Sequence, residues 1–220
     1  MRGASTQQID IEAALMKADP ELGRVIKAII ARIGPLRVTR SRASPFEALA
    51  RAIVYQSVAA KAADTIFARL RLTSSGDLTP AAVLELKPES LRAIGLSTAK
   101  ARYIRNLAEW FSANPNIARK LTSLADKEVI QALTGISGIG VWTANVFLIF
   151  SLGRLDVVPA DDLGIRRGVQ LAYRLKSMAT PEQVQDKALL WRPYRSIASM
   201  YLWNAVKLKI NANDLMEEQP

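Results

Sequence analysis

The sequence predicts an all-α protein, and three observations carry that prediction. Apolar residues recur at helical spacing along most of the chain. Hydroxyl or carboxylate residues followed by proline mark one helix start after another. No segment shows the alternation of a half-buried strand. About ten helices joined mostly by short loops are expected.

Taken in order, Asp19-Pro20-Glu21 supplies an N-cap and a proline at the first helical position. Leu22, Val25, Ile26, Ile29, Ile30 and Ile33 follow as one apolar stripe, and Gly34-Pro35 ends it. Arg37 to Arg42 reads as a basic loop. Ser44-Pro45-Phe46-Glu47 has the pattern of a capping box, with Phe46, Leu49, Ala50, Ile53 and Val54 as the face to be buried. Tyr55-Gln56-Ser57-Val58 interrupts that pattern with polar residues before helix resumes to Leu70. Thr79-Pro80 opens another helix. Leu91 to Ser97 reads as helix, glycine stop and a serine cap for a helix from Thr98 to Phe111. Lys100, Arg102 and Arg105, early in that helix, either touch phosphate or form a solvated face.

The stretch Leu133-Thr134-Gly135-Ile136-Ser137-Gly138-Ile139-Gly140-Val141-Trp142-Thr143-Ala144 is the most informative in the chain. A polar helix from Asp126 runs into three glycines. Glycine permits positive φ and close approach of another backbone or a phosphate. Val141 to Leu152 is then apolar on every side apart from Thr143, Asn145 and Ser151, which predicts a helix buried all round. Its first amides, leaving the Gly138–Gly140 turn, would suit an anion. The same pattern also fits a plain tight corner between two helices.

Gly153 to Asp162 reads as an extended connector in which Pro159 keeps Val158 out of the helical region. Helix restarts at the aspartates, with Asp161 as the expected cap, and continues through Ile165, Val169, Ala172 and Leu175. Asp162 lies 24 residues past Gly138. A helix of about 12 residues spans roughly 18 Å, and the connector is long enough to return Asp162 beside the start of that helix. Thr180-Pro181-Glu182-Gln183 is a second capping box, Pro193 opens the last long helix, and the acidic tail from Asn211 is expected to fray.

Composition narrows the chemistry. The chain has 220 residues, half of them hydrophobic, enough for one domain or two small lobes. A net charge of +10, from 30 Lys and Arg against 20 Asp and Glu, favours a polyanionic partner, nucleic acid first. There is no Cys and no His, which excludes disulfides, Cys/His zinc sites, iron–sulfur clusters and thiol or imidazole catalysis. A general base must then be a carboxylate, Lys or Tyr. The N-terminus, with Gln7, Asp10 and Glu12, has no apolar signal core, and no apolar run approaches the roughly 20 residues that span a bilayer. A soluble intracellular protein is expected.

Ile136 to Ala144 together with Val158-Pro159-Ala160-Asp161-Asp162-Leu163-Gly164 resembles the helix–hairpin–helix DNA glycosylases, in particular the 3-methyladenine DNA glycosylase II branch. The Ile53-to-Ala60, Gly95-Leu96-Ser97 and Pro193-Tyr194-Arg195-Ser196-to-Trp203 segments are similar to the same family, so the resemblance covers about Pro45 to Lys207. It implies a two-lobed helical fold with the active site in the cleft between the lobes. The expected division is 1–44, N-terminal helices packing with the C-terminal lobe; 45–160, a central lobe holding the helix–hairpin–helix at about 126–152; and 161–220, the C-terminal lobe.

The resemblance also implies roles. Asp162 matches the catalytic aspartate. Trp142 and Trp203 match aromatics of the base pocket, and Val146 and Leu163 stand where some members have pocket tyrosines. Bifunctional members carry a lysine nucleophile at the position of Trp142, so no lyase step is expected. Gln56 and Ser57 match the loop that fills the gap left by an extruded base, although the best-known members have an apolar wedge at Ser57. Gly138, Ile139 and Gly140 would meet the DNA backbone. The carbonyls of Thr134, Ile136 and Ile139 match positions that hold a potassium or sodium ion; no other cofactor is required. The expected activity is hydrolytic release of alkylated purines from double-stranded DNA, leaving an abasic site, by a monomer that is cytoplasmic and nucleoid-associated, or nuclear in a eukaryote. The sheet-like N-terminal domain of longer relatives does not fit in the residues before Pro45. Alternatives are a glycosylase for oxidised or deaminated bases, a non-catalytic DNA-binding module, and a basic scaffold for protein partners.

Overall fold

The computed structural model describes residues 3–74, 76–211 and 213–215. Among them are thirteen α-helices, one short 3-10 helix and no strand. The helices are α1 (Gly3–Ala18), α2 (Pro20–Ile33), α3 (Pro45–Tyr55), α4 (Ala60–Thr73), α5 (Pro80–Glu85), α6 (Pro88–Ala93), α7 (Thr98–Ala113), α8 (Ile117–Ser123), α9 (Asp126–Thr134), α10 (Val141–Phe150), α11 (Leu163–Ala172), α12 (Pro181–Ala188) and α13 (Arg195–Lys207). The all-α expectation holds. The count exceeds ten through short helices such as α8, whose N-cap Asn116 makes no side-chain hydrogen bond to the helix. No helix among the described residues is long and apolar enough to cross a membrane.

The chain forms two compact units, one of residues 1–39 and 154–220, the other of residues 40–153. The connector 154–160 belongs with the C-terminal helices, and its contacts explain why. Arg195 grips Asp156 through Nε at 2.6 Å and Nη2 at 3.0 Å, the Ser196 amide donates to the Leu155 carbonyl, and the Val157 amide donates to Ser196 Oγ at 3.0 Å. The extended segment is thus fastened to the start of α13.

In the first unit, α2 forms where the sequence places it. Asp19 Oδ1 accepts from the Leu22 amide, Pro20 opens the helix, and Gly34 closes it at φ 79°. Leu22, Val25, Ile26 and Ile29 are fully buried, whereas Ile33, at the last turn, is 49% exposed. This stripe packs in one core with Ile165 and Val169 of α11 and Trp191, Ile197, Tyr201 and Leu202 of α12–α13. Asp19 is itself buried and satisfied: its second oxygen accepts from Trp191 Nε1 at 2.7 Å and from the Tyr173 hydroxyl. Pro193 lies in the turn before α13, which begins at Arg195 rather than at the proline. The start of the tail does not fray: residues 213–215 make a 3-10 turn in which Asp214 pairs with Arg32 at 2.5 Å. The rest of the tail, residues 216–220, lies outside the described residues, as do the side chains of Gln7 and Asp10.

In the second unit, Phe46, Leu49, Ala50, Ile53 and Val54 bury the expected face of α3. Ser44 caps that helix, but its capping box is half-formed, because Glu47 turns its carboxylate to Arg71 at 3.4 Å. The box at Thr180 in the first unit is complete, with Gln183 Oε1 accepting from the Thr180 amide. Helix α7 buries Ala101, Ile104, Leu107, Ala108 and Phe111, so its one apolar stripe seats it in the middle of the unit.

Candidate functional site

The hairpin joins α9 to α10 through residues 135–140. Of its glycines, Gly138 alone has positive φ, at 96°. It is also the one with no room for a side chain: a Cβ there would lie 2.2 Å from Cγ of Tyr103, which packs beneath the turn from α7. Gly140 is different. It is the N-cap of α10 at φ −95° and ψ 175°, and a Cβ added to it would meet open space. With glycine as the cap, no side chain occupies the first amides of α10. Those amides and the positive end of the helix dipole suit an anion.

Of the carbonyls expected to hold a cation, those of Thr134 and Ile136 lie on the α9 side of the turn and that of Ile139 directly before Gly140. Thr134 turns its hydroxyl back to the Ile130 carbonyl at 2.8 Å, leaving its main chain as its contribution to the turn. The Ile136 carbonyl accepts from the Ile139 amide at 3.0 Å and retains a second lone pair. A set of neutral carbonyl oxygens at the negative end of a helix is chemically suited to an alkali cation.

Helix α10 departs from the expectation of burial all round. Thr143, Ala144, Phe147, Leu148 and Ile149 are buried, but Trp142 and Phe150 are exposed by 36% and 37%, and Val146 is half-buried between them. These three residues at i, i+4 and i+8 form one stripe. It lines a cavity of about 610 Å³ within this unit, shared with Ala48, Ala52 and Tyr55 of α3 and Phe67 of α4. The apolar face left out of the core is therefore the wall of a pocket. An all-apolar sequence cannot reveal which side is left open.

The loop after α3 is tied to the hairpin. The Gln56 side-chain amide donates to the Gly138 carbonyl at 3.0 Å and to Thr143 Oγ1 at 3.2 Å. Ser57 beside it is exposed and has φ 54°. Of the basic residues at the start of α7, Lys100 donates to the carbonyls of Val54 and Gln56, and Arg105 to the carbonyl of Leu86. Lys100 is thus not the plain solvated side chain of the simpler expectation, since its ammonium is turned to two protein carbonyls.

In the other unit, Asp162, not Asp161, caps α11. Its Oδ1 accepts from the Ile165 amide at 2.9 Å and from Trp203 Nε1 at 2.8 Å. Asp161 is exposed. Two adjacent aspartates cannot be ranked as caps from sequence, because a shift of one residue satisfies the same rule. Asp162 therefore serves as cap and candidate catalyst at once. Its two donors fix the carboxylate while leaving the residue partly accessible.

Two glycines of α11, Gly164 at the end of the Val158-to-Gly164 motif and Gly168 one turn later, make this arrangement possible. A Cβ on Gly164 would lie 2.8 Å from Trp203 Cδ1, and one on Gly168 would lie 2.7 Å from Leu202 Cβ and 2.9 Å from its carbonyl oxygen. Four residues apart, they give α11 a bare face on which α13 lies close enough for the indole to reach Asp162. Their i, i+4 spacing was the available signal. Leu163, next to Gly164, is 60% exposed.

Residues 50–193 match the HhH-GPD superfamily of base excision DNA repair proteins. The chain belongs to that superfamily. Among its relatives, DNA-3-methyladenine glycosylase 1 of Schizosaccharomyces pombe is 35% identical over 207 residues, spanning 90% of this chain and 91% of that one. The solved structure of the Schizosaccharomyces pombe 3-methyladenine DNA glycosylase in complex with abasic DNA superposes with a TM-score of 0.80 at 33% identity, covering 90% of this chain and 97% of that chain. A DNA-3-methyladenine glycosidase from Bacillus halodurans superposes with a TM-score of 0.77 at 31% identity, covering 90% of each chain.

Proposed function

We propose that this HhH-GPD protein is a monofunctional DNA-3-methyladenine glycosylase, which extrudes an alkylated purine from duplex DNA and hydrolyses its N-glycosidic bond. The observation that carries the proposal is Asp162, at the family's catalytic position, held by the Ile165 amide and the Trp203 indole. An enzyme that acts on a base must take it out of the stack. The amides at Gly140 and the start of α10 hold phosphate. The cavity lined by Trp142, Val146 and Phe150 receives the base, and a purine alkylated on a ring nitrogen is cationic, so an indole face favours it by about 0.5–2 kcal/mol.

As the bond from the sugar to the base breaks, its electron pair goes to the base, which leaves neutral. Positive charge develops on the sugar. The fixed carboxylate of Asp162 stabilises that charge, and water adds to the sugar carbon and gives up a proton. A preformed charge aimed at developing charge is commonly the largest catalytic contribution. With Trp142 where bifunctional members carry lysine, there is no amine at that position to attack the sugar, and the abasic strand is left intact. An alkali ion held by the carbonyls of Thr134, Ile136 and Ile139 would add positive charge beside the phosphate. We place the protein with chromosomal DNA, in the nucleoid or nucleus, acting as a monomer.

The test is incubation with methylated duplex DNA and chromatography of the released bases. Wild-type protein is expected to release 3-methyladenine or 7-methylguanine. Asp162→Asn should release them slower by a factor of about 10² or more. Asparagine is as good an N-cap as aspartate, so the variant should fold and still bind DNA. Near-normal release by Asp162→Asn would refute the role. Release of hypoxanthine or 8-oxoguanine in place of methylated purines would move the activity to a different lesion class.

A further inference from the structure

Lys100 stands in the first turn of α7, half-buried, with its ammonium turned into the protein. Nζ donates to the Val54 carbonyl at 2.7 Å and to the Gln56 carbonyl at 2.5 Å. Both acceptors belong to the C-terminal end of α3, where carbonyls lack helical donors and the helix end is negative. Partial burial pushes the Lys100 amine below its ordinary range, so the charge sits there at a desolvation cost that the two carbonyls offset.

The segment Lys100 grips leads directly into Ser57, a non-glycine residue at φ 54° on an exposed tip. Such a backbone persists only where its surroundings over-determine it. Here they do so from two sides. Lys100 fixes the main chain, and the Gln56 side chain is fastened to Gly138 and Thr143 of the hairpin. Tyr103, three residues along α7 and on the same face, lies under Gly138. One helix face thus supports both the loop and the hairpin.

We propose that Lys100 is a positioning residue: it locks the Tyr55–Val58 loop in the conformation that fills the space vacated by an extruded base, using its ammonium on protein carbonyls and not on DNA phosphate. This inference rests on the reading of the protein as a base-extruding glycosylase. It predicts that the lysine governs recognition of a duplex with a gap in its stack, while intact duplex is held without it.

The test uses the full-length protein and two duplexes, one intact and one carrying a tetrahydrofuran abasic analogue opposite 2-aminopurine. Lys100→Met keeps the length of the side chain and removes its donors. It is expected to lose about tenfold of the preference for the abasic duplex, as a binding loop that must be ordered on binding loses affinity. The 2-aminopurine fluorescence change on binding should shrink with it, and Lys100→Arg should restore both. Affinity for intact duplex and its salt slope should stay as in wild type. Unchanged preference and fluorescence in Lys100→Met would overturn the proposal. So would a salt slope reduced by about one, the mark of a lost phosphate contact. If the methionine variant fails to fold, Lys100→Arg and Lys100→Gln carry the test: preference kept by arginine and lost by glutamine supports the latch, and any other pattern overturns it. Wild-type protein that neither prefers the abasic duplex nor releases methylated bases would instead remove the glycosylase reading itself.

Discussion

Asp19 and Asp162 show how one residue type takes two fates. Each caps a helix, and each accepts from a tryptophan indole. Asp19 is 1% exposed and is completed by the Tyr173 hydroxyl, so it is a structural hub; Asp162 remains partly accessible. The hub has a pH signature. Burial, and next the bonded Asp19 carboxylate, push the Tyr173 hydroxyl well above the ordinary tyrosine range of about 10. Above pH 10 the unfolded chain loses that proton and the native chain keeps it, so the contribution is complete below pH 10 and is lost as pH rises beyond it. Tyr173→Phe should be less stable than wild type by about 1.5–3 kcal/mol at pH 7, the worth of one hydrogen bond to a charged group. Above pH 10 the two proteins should converge, by at most about 1.4 kcal/mol per pH unit. Urea denaturation at pH 7, 9, 10.5 and 11.5 measures this; a difference that is the same at every pH would contradict it.

At the scale of elements, the hairpin works because its glycines have different jobs. Gly138 answers to the inside of the protein, with positive φ and the Tyr103 ring against it, whereas Gly140 answers to the outside. Gly138→Ala must strain the backbone and displace an aromatic ring, each worth about 1–3 kcal/mol. It should lower the melting temperature and weaken duplex binding together. Gly140→Ala should cost less than about 1 kcal/mol of stability, yet weaken duplex binding, because the new methyl would stand at the proposed phosphate site. Paired melting curves and duplex titrations separate the two; equal melting of Gly138→Ala and wild type would show that the ring contact does not matter. The sequence could reveal the three glycines but not this division of labour, since Tyr103 lies far from the turn in the chain. The same distinction between local and distant partners runs through the whole chain. Caps at Asp19, Ser44, Thr79, Ser97 and Thr180 were legible because a cap bonds three residues ahead. Lys100 was not legible, because its acceptors are 44 and 46 residues away. Asp162 was legible as a family position, but its partnership with Trp203 depends on Gly164 and Gly168, which matter only once α13 is laid across them. The open stripe of α10 was hidden for the opposite reason: its outer residues are as apolar as its inner ones.

For the whole molecule the governing quantity is net charge, +10 on 220 residues. Positive charge of this size attracts any duplex irrespective of sequence, through release of counterions from phosphate. A glycosylase must search intact DNA by that attraction and stop only where a base can be extruded. The two requirements separate in a salt titration. If about four phosphates are neutralised, affinity for intact duplex should fall by about a hundredfold between 50 and 200 mM salt. The abasic duplex makes the same backbone contacts, so its affinity should fall in parallel, and the ratio of the two should stay nearly constant, because stacking and gap-filling release no counterions. Asp162→Asn should follow the same slope, since the proposed mechanism sets its carboxylate against the sugar and not against a phosphate. Fluorescence anisotropy on both duplexes across the salt range gives all of these values. A lesion preference that disappears with salt would mean that the protein recognises charge density at the damaged site and not the missing base. Absence of duplex affinity even at low salt would leave the basic surface to protein partners.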